Sequence, residues 1–114
     1  MNHDQAHSYC HEIGMDLFTV RSVDQNHALK KIVSSSWSHG HSYWINGKNS
    51  NNLWYMYHSL HDFSKKLKYM GFHFHNKGEP GQCLRFAKIN GVFGGQGVSC
   101  EELHPVLCEF GDKL

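Results

Sequence analysis

A chain of 114 residues, 39% hydrophobic and 13% aromatic, has material for one compact core and too little for two. Eleven Lys and Arg against ten Asp and Glu leave a net charge of +1, without the concentrated basic face that nucleic-acid binding needs. No apolar run approaches the roughly 18 residues of a membrane span, and residues 1–20 lack the apolar stretch of a secretory signal.

The first element is a helix. From Asp4 to Ile13, Ala6, Tyr9, Cys10 and Ile13 recur at three and four residues, one face of an amphipathic helix that Gly14 is placed to end. Leu17 to Val20 reads as a short buried strand or extended link. Ser22 and Gln25 have capping-box spacing, and a second helix follows with Ala28, Leu29, Ile32 and Val33 facing inward. Ser34 to Ser36 marks its end.

Beyond Ser38 the texture turns aromatic and β-prone. Tyr43-Trp44-Ile45 and Leu53 to Tyr57 read as strands separated by an Asn/Gly/Ser loop from Asn46 to Asn52. A long loop region is expected from His58 to Gln82, where Phe63 and Leu67 could anchor a helical turn. Cys83 to Ile89 alternates, with Leu84 and Phe86 on one side and Arg85 on the other. Asn90-Gly91 supplies the positive φ angles of a type I′ hairpin turn, and Val92-Phe93 starts the return strand. A final strand runs from Val106 to Phe110.

Cys10, Cys83, Cys100 and Cys108 include no Cys-x-x-Cys pair, so a zinc ribbon or finger is disfavoured and two disulfides are the better reading. Four cysteines allow three connectivities, and disulfides imply an oxidising compartment. A secreted protein without a signal sequence is expected to begin inside a longer precursor.

The ordered set of features resembles the C-type lectin-like domain. Gln5-Ala6 and Cys10, then Gly14 and Asp16-Leu17, are similar to that family's first-helix pattern. Tyr43-Trp44-Ile45-Asn46-Gly47 resembles its Trp-Ile-Gly core motif, and Leu53-Trp54 the aromatic strand after it. Cys83-Leu84, Cys100 and Val106-Leu107-Cys108-Glu109 resemble its closing cysteine signature. The resemblance implies an α+β fold over residues 1–114 as a single domain, with two helices flanking small antiparallel sheets and a long loop region. It also implies the pairings Cys10–Cys108 and Cys83–Cys100. The family's opening strand, which pairs with the C-terminal strand, has no counterpart before the first helix. The final strand is therefore expected to lack a neighbour, and the chain to be truncated at its N-terminus.

The resemblance further implies lectin-type recognition of a glycan or glycoprotein, and no enzyme activity. Sugar-binding members hold calcium with a Glu-Pro-Asn-type triplet and a Trp-Asn-Asp triplet. Here those positions read Glu79-Pro80-Gly81 and Gly95-Gln96-Gly97. Glu79, Gln82 and Gln96 remain as candidate ligand-binding oxygen donors, with Glu79 the candidate for weak calcium binding. Calcium takes six to eight oxygens, so weak or absent calcium dependence is expected. Pro80 could keep the cis peptide that shapes this loop in relatives or sit in an ordinary turn. Phe72 and Phe74 could stack on sugar rings, though their spacing fits core residues better. The rival reading is a calcium-independent protein-binding module using the same loops.

Eleven histidines are the compositional oddity. The pairs His39/His41, His58/His61 and His73/His75 include spacings that a metal can use on a strand, but zinc needs three or four ligands, and scattered surface histidines are the plainer reading. Lys65, Lys66 and Lys68 could contact an anionic glycan or lipid surface, or form a solvated loop. Gly94-Gly95-x-Gly97 lacks the strand-to-helix context of a phosphate loop. No catalytic order of Ser, His and Asp, no His-Glu-x-x-His and no Asn-x-Ser/Thr sequon is present.

Overall fold

The computed structural model describes residues 1–20, 22–35, 42–57, 65–66 and 73–110, apart from the side chains of 23, 33–35, 65 and 66. In chain order the elements are α1 (His3–Glu12), β1 (Asp16–Leu17), α2 (Val23–Ser35), β2 (Ser42–Ser50), β3 (Leu53–Met56), β4 (Lys65–Lys66), β5 (Cys83–Ile89), β6 (Val92–Val98) and β7 (Cys108–Glu109). A five-stranded sheet has the order β4-β3-β2-β5-β6, and β1 pairs with β7 in a second, two-stranded sheet. The α+β class and both implied disulfides, Cys10–Cys108 and Cys83–Cys100, are present.

Helix α1 starts with a capping box in which Asn2 Oδ1 accepts from the Gln5 N–H and Gln5 Oε1 accepts from the Asn2 N–H, each at 2.9 Å. Its inward face is rotated from the one expected. His3, Ala6, His7 and Cys10 are buried, whereas Tyr9 and Ile13 are exposed. The histidines face inward because aromatic rings receive them. His7 stacks on Tyr57 at 3.5 Å between centroids, and His3 meets Trp44 edge-on at 5.1 Å. In α2, Ser22 Oγ accepts from the Gln25 N–H at 3.2 Å. Leu29 and Asn26 are buried, but Ala28 and Ile32 face solvent, and the Val33 side chain lies outside the described residues.

Strand β2 continues through the segment read as a loop. The actual turn is two residues, Asn51 and Asn52, with φ of 53° and 66°, the left-handed pair of a tight hairpin. Asn tolerates this region because its short polar side chain bonds locally. The hairpin pairs Ser50↔Leu53, Asn49↔Trp54 and Lys48↔Tyr55. The Asn90-Gly91 turn forms as expected, with φ of 50° and 80°. The last strand is shorter than expected and does have a neighbour, since Asp16 pairs with Glu109 and Leu17 with Cys108. Val106 instead makes an isolated bridge to Trp44.

The sheet buries a cluster on each face. Phe18, Val20, Leu29, Ile45, Trp54, Met56, Leu84 and Phe86 pack on one side. Ala6, Cys10, Leu17, Trp44, Cys83 and Val98 pack beneath α1 on the other. Asn46 joins the layers: its Nδ2 donates to Thr19 Oγ1 at 3.0 Å and its Oδ1 accepts from the Tyr57 N–H at 2.8 Å. A buried amide satisfied this way fixes register rather than costing stability. No helix among the described residues is long and apolar enough to cross a membrane.

Candidate functional site

Residues 79–82 form a tight turn. Gln82 donates its N–H to the Glu79 carbonyl at 3.0 Å, Pro80 follows at the second position, and Gly81 has φ of +88°. Proline then a positive-φ glycine is the signature of a type II turn. No described peptide bond is cis, so Pro80 takes the ordinary-turn alternative. The Gln82 side chain braces the turn, its Oε1 accepting from the Glu79 N–H at 2.8 Å.

Two backbone bonds fasten this turn to the hairpin: Asn49 donates to the Gln82 carbonyl and Gly81 donates to the Asn49 carbonyl, each at 2.8 Å. The Cys83–Cys100 disulfide anchors its base, with Cys100 Sγ 3.1 Å from the Gly81 carbonyl oxygen. Gly78 (φ +77°) lies so close to Trp54 that an added Cβ would come within 2.6 Å of the indole. The turn is thus mounted on strands rather than carried by a free loop.

Between the turn and the hairpin lies a groove of about 380 Å³, lined by Lys48, Asn49, Ser50, Asn51, Tyr55, Pro80 and Gly81. Lys48 and Tyr55 are cross-strand partners and so share one face. Ser50 and Asn51 are exposed at the hairpin tip. The Asn49 side chain belongs to the other face with Trp54, where it is buried and neither its Nδ2 nor its Oδ1 has a partner among the described residues.

The candidate oxygen donors are not gathered in one place. Glu79 is exposed on the turn and Gln82 is half-buried beside it. Gln96 points away from both. A Cβ on Gly97 would meet Gln82 Oε1 at 2.9 Å, so its neighbour Gln96 faces the opposite side of β6. There Gln96 Oε1 accepts from Arg85 Nε at 2.8 Å and also from Nη2. Two of the three amide or carboxylate oxygen sources are therefore engaged with the protein. Among the described residues no three His, Cys, Asp or Glu side chains group to hold a metal. These donors do not fit the oxygen shell that calcium takes. His73 and His75 approach each other at 5.1 Å between rings, with His75 Nε2 3.1 Å from the Ala87 carbonyl oxygen. The other histidine pairs, Phe72, Phe63 and Leu67 lie outside the described residues. Phe74 stacks on Trp54 at 6.0 Å and packs against the core.

A polar network below the sheet superficially matches a catalytic relay. His104 Nδ1 is 3.1 Å from Ser42 Oγ, and its Nε2 is 2.8 Å from Glu102 Oε1. Ser42 is only 8% exposed, and Arg85 Nη1 donates to the same hydroxyl at 3.2 Å. A buried hydroxyl capped by a guanidinium presents no nucleophile to a substrate. The network instead ties β2 and β5 to the segment before β7.

A braced, irregular crest on two helices, small antiparallel sheets and two disulfides defines a C-type lectin-like recognition module. The family model "Lectin C-type domain" matches residues 1–110, and the chain belongs to the C-type lectin domain family. It is a recognition module and not an enzyme. No curated protein matches the sequence. A solved structure described as an SPL-1–GlcNAc complex aligns with 94% of this chain and 78% of that chain, at a TM-score of 0.75 and 15% identity. That likeness is one of fold.

The groove itself was not foreseen from sequence. Its signal is the cross-strand pair Lys48/Tyr55, which becomes visible only once the turn is placed at Asn51-Asn52.

Proposed function

We propose that this chain is an extracellular carbohydrate-recognition domain, acting as one unit, that binds saccharide in the Lys48–Tyr55–Pro80 groove without requiring calcium. The observation that carries this reading is an aromatic and proline wall set beside hydroxyl, amide and ammonium donors in one rigid groove. Binding sites for small polar ligands combine such an apolar surface with a few placed polar groups. A pyranose presents both an apolar ring face and a rim of hydroxyls, so it suits Tyr55 below and Ser50 and Asn51 at the side. Glu79, exposed at the rim, serves as an acceptor for sugar hydroxyls; Gln82 holds the turn that places it, and Gln96 acts at a distance through Arg85. Family membership and a structural neighbour described as a GlcNAc complex support a glycan as ligand. Two disulfides suit an oxidising, extracellular setting.

Glycan-array binding by the oxidised domain, with and without a calcium chelator, tests the reading. Binding should persist in chelator and fall sharply in Tyr55→Ala. Array signals that vanish on chelation would overturn calcium independence. A silent array with retained binding to a protein ligand would favour the protein-binding alternative.

A further inference from the structure

The chain contains two Asn-Gly dipeptides, Asn46-Gly47 and Asn90-Gly91, and the fold treats them in opposite ways. Asparagine followed by glycine is chemically labile. The backbone nitrogen of the following residue can attack the side-chain amide carbon, and a glycine there presents no Cβ to obstruct the approach. In a folded protein the attack needs two freedoms. The amide must be able to leave its hydrogen bonds, and the peptide must have room to swing.

Asn46 has neither freedom. It is only 4% exposed, its Nδ2 donates to Thr19 Oγ1 and to the Tyr57 carbonyl, and its Oδ1 accepts from the Tyr57 N–H. Gly47 is pressed against the neighbouring strand, since an added Cβ would come within 2.7 Å of the Leu84 side chain. Asn90 and Gly91, by contrast, are exposed at the tip of the β5–β6 hairpin. Chain neighbours aside, nothing among the described residues lies within 4 Å of a Cβ built on Gly91. A two-residue turn also leaves its central amides outside the strand ladder, whose last pair here is Ile89↔Val92. Asn51-Asn52 supplies an internal control. That turn is likewise exposed and left-handed, with φ of 53° and 66°, but the residues following its asparagines, Asn52 and Leu53, both carry a Cβ.

We propose that Asn90 is a site of spontaneous covalent modification, in which its side chain closes on the Gly91 backbone nitrogen and reopens as an aspartyl or isoaspartyl residue. In the first step a bond forms between the Gly91 nitrogen and Asn90 Cγ, the Cγ–Nδ2 bond breaks, and ammonia leaves with the proton of the Gly91 N–H. The product is a five-membered succinimide. One water then opens the ring. Attack at Cγ gives aspartate, and attack at the main-chain carbonyl carbon gives isoaspartate, whose backbone runs through Cγ. The balance is asparagine and water to aspartate and ammonia, with no oxidant or cofactor. Either product carries a new carboxylate, which lowers the formal net charge from +1 to 0. The isoaspartyl form also adds a methylene to the backbone of a two-residue turn, so it loosens the Ile89↔Val92 pair. Strand β5 carries seven residues at about 3.3 Å each, so the mark falls at the far end of that strand from Cys83 and the 79–82 turn.

Peptide mapping by mass spectrometry tests this on the oxidised, full chain aged in mildly alkaline buffer, with fragmentation that separates isoaspartyl from aspartyl products. Asn90 should convert at least roughly ten-fold faster than Asn46 and Asn51, one decade in rate. In the reduced chain unfolded in urea, Asn46 and Asn90 should convert at similar rates, because the dipeptide is the same and only the fold has been removed. Gly91→Ala, measured in that unfolded chain, should slow conversion at Asn90 toward the rate of Asn51. In the folded domain, Asn90→Gly keeps a pair that suits the same turn and should abolish the acidic charge variant seen on ion exchange. Conversion of Asn46 as fast as Asn90 in the folded domain would overturn the proposal. So would an Asn90 that stays intact over a period in which the unfolded chain converts it, or an acidic variant that survives Asn90→Gly.

Discussion

Tyr55 and Tyr57 lie two residues apart on the same side of one extended segment, yet they end in opposite situations. Tyr57 is covered by helix α1. His7 stacks on its ring at 3.5 Å, and its hydroxyl donates to Asp4 Oδ1 at 3.3 Å. Burial, reinforced by Asp4, pushes its phenol up to about 12. Tyr55 instead lines the open groove with Lys48 and Pro80. The same side chain is a structural post in one place and the wall of an open groove in the other. What differs is the neighbour. A disulfide-tethered helix closes over Tyr57, and a type II turn leaves room beside Tyr55.

The contrast breaks first at the tether. Replacing Cys10 and Cys108 by serine opens a loop with a sequence separation of 98 residues and should cost roughly 4–5 kcal/mol, read by thermal unfolding. The fold beneath α1 should loosen before the groove does. Losing Cys83–Cys100, separation 17, should cost less, about 3 kcal/mol, but should disturb the groove more because it anchors the 79–82 turn. Equal effects on groove and helix from both replacements would contradict this division.

Tyr57→Ala should follow at about 3 kcal/mol, the scale of removing a packed aromatic. It leaves His3 and His7 without their stacking partner.

Acid should act on the same region. Burial lowers both His3 and His7 from 6.5 to about 4. For His3 the Ile45 carbonyl and Asp4 oppose that shift and Lys48 adds to it; for His7 the neighbouring His11 and His3 add to it and Asp16 and Asp4 oppose it. Between these limits the unfolded chain binds protons that the folded chain refuses, so stability falls as pH falls from about 6.5 toward about 4. The loss should approach about 3 kcal/mol per ring at the acid end. Melting temperatures across that range check the sign, and His7→Phe should flatten the slope. A melting temperature that rises on acidification would contradict burial of neutral rings.

Smallest in stability is Tyr55→Ala, expected to lie within about 0.5 kcal/mol of the parent because it opens no core cavity. Its effect belongs to binding alone. A large loss of stability there would erase the distinction between the two tyrosines.

How much of this could be read from the chain divides along the same line. The cysteine set, the apolar alternation of Cys83 to Ile89 and the Asn90-Gly91 turn carry their geometry locally, and they led to the fold. Helix α1 was read in the wrong phase because histidine counts as polar in a periodicity argument. Tyr57 and Trp44, distant in sequence, make His3 and His7 inward residues. The groove was hidden for a different reason. Reading residues 46–52 as a loop leaves Lys48 and Tyr55 unrelated, whereas two left-handed asparagines shorten the turn and pair them across strands. Register is a property of two segments at once, so one misplaced turn conceals every cross-strand neighbour. Glu79, Gln82 and Gln96 are marked by position relative to a family motif, and position along the chain does not report that Gln96 faces away from Gln82, toward Arg85.

The central claim is that recognition occurs in the hairpin–turn groove and without calcium. Backbone amide chemical-shift mapping of the oxidised domain, titrated with saccharide in the presence of chelator, tests it most directly. The account predicts perturbations concentrated at Lys48, Ser50, Asn51, Tyr55 and Gly81. Shifts that appear only after calcium is restored, or that cluster around Gln96 and Arg85 rather than at the hairpin–turn groove, would contradict it.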